Sequence, residues 1–188
     1  MKITKTKIKG LLIIEPQVFG DERGFFVESY NHKRYKKAGI KENFIQDNLS
    51  KSTKGVLRGL HLQKEPHGQG KLVQVITGTV LDVAVDARLN SKTYGQWSSI
   101  ILSAKNKKQF YLPSGFLHGF VSLENETIFN YKCTKLYHPE SELCVKWNDK
   151  ELNIDWQLEK YGVKQPIISE KDQRGIKFKE LRNKINIR

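Results

Sequence analysis

The stretch that decides the fold runs Leu72-Val-Gln-Val-Ile-Thr-Gly-Thr-Val-Leu-Asp-Val-Ala-Val-Asp86. Apolar and polar side chains alternate on either side of Thr77-Gly78, the period of strands with one face against a core, and the interruption reads as a hairpin turn. Outward from it the same period recurs in short runs: Lys9 to Ile14, Gly24 to Tyr30, Gly55 to Leu62, Trp97 to Leu102, Lys108 to Leu112, Gly119 to Leu123, Thr127 to Cys133 and Leu143 to Trp147. Helical signals are few. Asn31 to Ala38 has a capping Asn31 and a stop at Gly39, and Lys150 to Ile154 is long enough for one turn. Short strands at close spacing, without a helix after each, predict an all-β sandwich or barrel with a few short peripheral helices.

The 188 residues suffice for one sizeable core, so one domain spanning 1–188 is expected. The longest aliphatic runs, such as Leu11 to Ile14, fall far short of the ~20 residues of a membrane helix. They are also too short for a secretory apolar region, which points to a cytoplasmic protein. Cys133 and Cys144 are the only cysteines and form no metal-binding spacing, which fits a reducing compartment. The net charge of +13 looks at first like a nucleic-acid signal. Its excess lies at the ends: residues 1–9 carry +4 and residues 171–188 carry +5, leaving +4 for everything between. No aromatics interleave a basic stripe, so nucleic acid is not the expected partner, while a modest positive field suits a small anion. The basic tail, about 173–188, reads as a surface helix or a frayed end.

Tyr111-Leu-Pro-Ser-Gly-Phe-Leu-His118 contains Pro-x-Gly-x-x-His, in which Pro113 and Gly115 turn the chain and aim His118 into a barrel mouth. This resembles the second motif of the cupin superfamily, a double-stranded β-helix or jelly-roll barrel. Upstream, Arg58-Gly-Leu-His61-Leu-Gln63 stands where metal-binding cupins carry His-x-His, with Gln63 in place of the second His and no Glu at the expected offset. Only His61 and His118 remain of a set that needs about three or four ligands, so no metal is expected. An imidazole freed from a metal can serve as a proton-transfer group if a carboxylate orients it.

The order of several further stretches carries a more specific resemblance. Phe19-Gly-Asp-Glu-Arg-Gly-Phe-Phe-Val-Glu28, Gln46-Asp-Asn48, Val56-Leu-Arg-Gly-Leu-His61-Leu-Gln63, Gln69-Gly-Lys71, Asp82 to Arg88, Pro113 to Gly119, Tyr131 and Ser169-Glu-Lys-Asp172 together resemble the dTDP-4-dehydrorhamnose 3,5-epimerase family over about residues 8–172. The resemblance implies cofactor-independent inversion of C3 and C5 of dTDP-4-dehydro-6-deoxy-D-glucose. It implies His61 as the base, Asp172 as its orienting carboxylate, Tyr131 as the opposed acid and Lys71 beside the C4 oxygen. It further implies Arg23 and Arg58 on the pyrophosphate, Gln46 and Asn48 on nucleotide or sugar, Phe26 and Tyr137 flanking thymine, Glu28 on its ring N–H and His118 beside the sugar. A homodimer follows, with the segment of about residues 1–30 crossing to the neighbour so that Arg23, Phe26 and Glu28 serve the neighbour's site.

Each residue has a plainer role open to it. His61 could be a hydrogen-bonded core histidine, His118 a brace for its turn, Tyr131 a barrel-wall aromatic, and Lys71 and Arg23 surface charges. Asp82 and Asp86 read as structural, with Arg88 as their partner, because carboxylates would repel a pyrophosphate. His32, His67 and His138 lie in polar segments and read as solvated. Other activities also stay open: epimerisation of one carbon alone, a metal-dependent cupin enzyme, or a non-catalytic nucleotide-sugar binder.

Overall fold

A computed structural model describes residues 1–186 of the chain. In chain order its strands are β1 (Lys2–Lys5), β2 (Leu12–Glu15), β3 (Val18–Asp21), β4 (Gly24–Val27), β5 (Gln46–Ser52), β6 (Leu57–Gln63), β7 (Lys71–Thr77), β8 (Thr79–Asp86), β9 (Trp97–Ser103), β10 (Gln109–Leu112), β11 (Phe116–Ser122), β12 (Thr127–Cys133) and β13 (Glu142–Cys144). The helices are α1 (His32–Lys37), α2 (Glu170–Gln173) and α3 (Phe178–Asn186). One antiparallel sheet has the order β1-β2-β10-β7-β12-β5, a second β13-β6-β11-β8-β9, and β3-β4 forms a separate hairpin. The all-β expectation holds, although β1, β3 and β5 were not read from the sequence.

The decisive stretch is two strands, yet its middle is not a hairpin. β7 pairs with β10 and β12, while β8 pairs with β11 and β9, so the chain leaves one sheet and enters the other at Gly78. Alternation is identical in a hairpin and in a corner, which is why the pattern could not separate them. Gly78 has φ +81°, and a Cβ there would lie 2.4 Å from Thr127 Oγ1, so the corner needs glycine.

Both faces of the second sheet are covered. Val80 and Ala84 of β8 point between the sheets with Val73, Phe110, Phe120 and Phe129. Leu81, Val83 and Val85 point outward, beneath Leu152, Trp156, Phe178 and Leu181 of the C-terminal segment. β8 is therefore buried on both sides, as its near-continuous apolar run requires. Of the two readings of the tail the surface helix is the one that forms: α3 leaves Lys179, Glu180, Arg182, Asn183 and Lys184 exposed and docks through Phe178 and Leu181, whose burial contributes roughly 1.5–3 kcal/mol each. Residues 187–188 of that tail lie outside the described residues.

The helix of Asn31 to Ala38 forms as expected, with Asn31 accepting from Arg34 N and Gly39 following at φ +99°. Asn153 N donates to Asp149 O, closing one turn near Lys150. Among the described residues no helix is long and apolar enough to cross a membrane.

Candidate active site

A cavity of ≈ 660 Å³ opens between the two sheets. Gln46 and Asn48 on β5, Lys71 on β7 and Tyr131 on β12 line it from the first sheet; Arg58 and His61 on β6 and His118 on β11 line it from the second. Asp172 of α2 and Tyr137, which precedes β13, complete the wall. Inward spacing is even along β5, as a pleat dictates, whereas Arg58 and His61 are three apart and would ordinarily face opposite ways. A register shift resolves this: His118 pairs with His61, but Phe120 pairs with Arg58, so β6 gains one residue at Gly59-Leu60. Gly59 has φ +118°, and a Cβ there would meet Gly119 Cα at 2.6 Å. The bulge thus depends on two adjacent glycines and brings a guanidinium and an imidazole to one face.

Asp172 stands behind His61, with Oδ1 2.6 Å from Nε2. Its Oδ2 accepts from Gly59 N at 3.2 Å, and Ser169 Oγ caps the helix by accepting from Asp172 N at 3.1 Å. Burial pushes the Asp172 carboxyl up, but hydrogen bonds from His61, Gly59 and the Cys144 thiol outweigh it and hold the group below its usual range. An ionised Asp172 accepts the Nε2 proton of a neutral His61, and that bond assigns the tautomer: Nδ1 keeps its lone pair.

His118 has its own carboxylate, Asp82, at 2.9 Å. Both are buried, so burial pulls the His118 imidazolium pKa down and pushes the Asp82 carboxyl up, each only partly offset by the other. The second oxygen of Asp82 is buried without a partner. This corrects the pairing of Asp82 with Arg88: Arg88 instead grips Asp86 through Nε at 2.8 Å and Nη2 at 2.7 Å. Ser91 and Thr93 also donate to Asp86; burial pushes its carboxyl up, and hydrogen bonds from Arg88, Ser91 and Thr93 pull it down further, to about 2.

The Lys71 ammonium lies 5.9 Å from the Tyr131 ring centroid. Burial lowers the Lys71 pKa, with Cys133, Glu142 and Asp82 pulling it back up. Burial raises that of Tyr131, which is therefore a phenol at neutral pH.

Within one chain Arg23, Phe26 and Glu28 do not line the cavity. Arg23 is exposed and paired with Asp21, Phe26 is 66% exposed on the β3-β4 hairpin, and Glu28 pairs with Arg34 at 3.1 Å. Glu142, Lys171 and Gln63, to which the sequence assigns no part in the site, also line the cavity. Glu142 accepts from Tyr137 OH at 2.9 Å and pairs with Lys171, and Gln63 Oε1 accepts from His138 N at 2.8 Å. The signal for Lys171 lay in Ser169-Glu-Lys-Asp172, where the helix cap fixes its neighbour; Glu142 had none. His67 and His138, read as solvated, stack on each other with centroids 3.8 Å apart.

The cupin ligand set is not assembled. His61 and His118 are each bound to a separate carboxylate, and Gln63 is turned to the backbone of His138. Among the described residues the one His/Cys/Asp/Glu group close enough to hold an ion, His61-Cys144-Asp172, omits His118.

Two histidines tied to carboxylates rather than to each other, facing a phenol and a lysine across the space between two sheets, define an acid–base enzyme on a cupin-type jelly roll. The comparisons with known proteins are more particular. Residues 5–180 match the family profile described as dTDP-4-dehydrorhamnose 3,5-epimerase. The chain is 52% identical over 179 residues to the dTDP-4-dehydrorhamnose 3,5-epimerase of Shigella flexneri, covering 95% of this chain and 96% of that one. It is 51% identical over 172 residues to that of Methanothermobacter thermautotrophicus, covering 92% and 91%. A crystal structure of the Legionella pneumophila Philadelphia 1 dTDP-6-deoxy-D-glucose-3,5-epimerase, in complex with dTDP-4-keto-L-rhamnose, superposes with a TM-score of 0.93 at 50% identity, covering 98% and 96%. The chain belongs to the dTDP-4-dehydrorhamnose 3,5-epimerase family, and it is an isomerase.

Proposed function

We propose that this chain epimerises dTDP-4-dehydro-6-deoxy-D-glucose at C3 and C5, giving dTDP-4-dehydro-L-rhamnose, on the route to dTDP-L-rhamnose. The observation that carries the reading is that His61, Lys71 and Tyr131 open into one cavity with Asp172 directly behind His61. The C4 ketone acidifies the neighbouring C–H bonds because the carbanion delocalises as an enolate. His61 takes the proton through Nδ1 while Asp172 stabilises the imidazolium formed. Lys71, whose charge burial disfavours, gains a counter-ion when the enolate oxygen appears, so it stabilises the transition state more than the ketone. Tyr131 returns a proton from the opposite face. No external cofactor enters this chemistry.

Arg58 and Arg23 are the proposed pyrophosphate ligands, since guanidinium offers a fork of donors. Gln46, Asn48 and His118 contact nucleotide or sugar, and Tyr137 with Phe26 flanks the thymine whose ring N–H Glu28 accepts. Arg23, Phe26 and Glu28 do so in the neighbour's cavity of a homodimer. The exposed Phe19, Phe25 and Phe26 of the hairpin support that arrangement, because apolar surface of this size on one short element calls for cover. We read the whole chain as one domain working in the cytoplasm.

Proton NMR of dTDP-4-dehydro-6-deoxy-D-glucose with the enzyme in deuterium oxide tests the reading. The expected outcome is deuterium at both C3 and C5 with conversion to the L-configured product. Exchange at one carbon alone would reduce the enzyme to a monoepimerase, and binding without exchange would make it a carrier.

A further inference from the structure

Next to the proposed base lies a group that the epimerisation does not use. Cys144 stands opposite His61 in the β13–β6 register, and its thiol points at Asp172 Oδ1, 3.7 Å away. That same oxygen receives His61 Nε2 at 2.6 Å. One ligating atom from each of the three residues falls within 4.8 Å of the others. They arrive from three separate elements, β6, β13 and α2, so the cluster is a product of the fold and not of a local motif. His61 and Cys144 are both partly exposed, and His61 lines the cavity through which a dissolved ion would arrive.

We propose that His61, Cys144 and Asp172 form a binding site for a thiophilic divalent cation, with Zn²⁺ as the best fit, and that its occupation switches the epimerase off. An imidazole, a thiolate and a carboxylate are the ligands Zn²⁺ takes in tetrahedral sites, whereas Mg²⁺ and Ca²⁺ favour all-oxygen sets. Bonds of about 2.0–2.3 Å at tetrahedral angles place ligand atoms roughly 3.3–3.7 Å apart. The Cys144–Asp172 spacing of 3.7 Å already meets this, and His61, at 2.6 Å, has to withdraw from Asp172 by roughly 0.7–1.1 Å. The fourth position is left for water.

The step balances without redox change. The Cys144 thiol releases its proton to solvent as the Zn–S bond forms. The Nε2 lone pair binds the metal only once its proton has gone, and a neutral imidazole then carries its proton on Nδ1. Inhibition follows from that exchange of tautomers, because the nitrogen that would abstract the sugar proton becomes a donor. The inhibitory half of this inference rests on His61 being the base; the binding half does not.

The test titrates the purified, chelator-treated enzyme with zinc chloride, following turnover normalised to each variant's own metal-free rate. Wild type should lose activity, recover it with EDTA and ignore Mg²⁺. Cys144→Ala and Cys144→Ser should require roughly 10–100-fold more zinc for the same loss. Titration with cobalt(II) supplies a readout independent of activity and substrate: wild type should show a thiolate-to-cobalt charge-transfer band in the near ultraviolet that both variants lack. Equal zinc sensitivity in all three proteins, or no such band in wild type, would overturn the proposal. A band without inhibition would keep the binding site and refute the role of His61 as base.

Discussion

The cavity holds two histidine–carboxylate pairs on neighbouring strands, and they differ in almost everything except composition. His61 faces His118 across the β6–β11 ladder. The His61 side chain is 26% exposed and its Asp172 is fixed by a backbone N–H and a capped helix; His118 is 8% exposed and its Asp82 not at all. The first pair is open to the cavity through His61, while enclosure disfavours charge on both members of the second. The same two residue types are therefore the proposed base in one place and a proposed positioning element in the other.

The largest way to break this comparison is His61→Asn. Loss of the base should lower kcat by roughly 10³–10⁴-fold with dTDP affinity nearly unchanged, measured by turnover and calorimetry; retained exchange into the sugar would move the base elsewhere. Lys71→Met comes next, with an expected fall of roughly 10²–10³-fold in kcat and little change in substrate binding. An equal loss in both quantities would mean that the ammonium holds ground state and transition state alike. Asp82→Asn sharpens the contrast at the second pair. It should cost about tenfold in kcat, equivalent to about 1.4 kcal/mol of lost positioning of His118, with nucleotide affinity retained. A loss as large as that of His61→Asn would give the buried pair a direct part in proton transfer.

Asp86→Asn should have the smallest effect on rate and serves as the control on the same strand. The folded carboxyl is held at about 2 against an ordinary 3.8. A depressed carboxyl stabilises the fold above its unfolded value and loses that contribution as pH falls through the folded one. The variant should therefore be less stable by about 2 kcal/mol at neutral pH, with the gap to wild type closing between about pH 4 and pH 2 in denaturant titrations. A gap that persists at low pH would trace the loss to packing instead of charge.

How much of the site could be read in advance follows the nature of each residue's surroundings. His61, Lys71, Tyr131 and Asp172 stand in stretches whose order is specific, and all four reach one cavity. Glu142 and Cys144 have no such signal: their importance comes from register against Gln63 and His61, a long-range relation. Asp82 and Asp86 are indistinguishable as letters two turns of alternation apart, and both point to the same face of β8. Arg88, two residues beyond Asp86, reaches back to it, while Asp82 meets a histidine from another strand.

The sequence alone determined what is local: a two-residue period that makes strands, a capped helix at Asn31, and the residue types able to carry acid–base chemistry. Only the tertiary structure decided where the chain at Gly78 would go, which carboxylate each histidine would meet, and that the hairpin at residues 18–27 would stand clear of its own cavity. Those outcomes depend on strand pairing and burial, which are set by contacts between residues far apart in the chain and leave no mark on the pattern of any one segment.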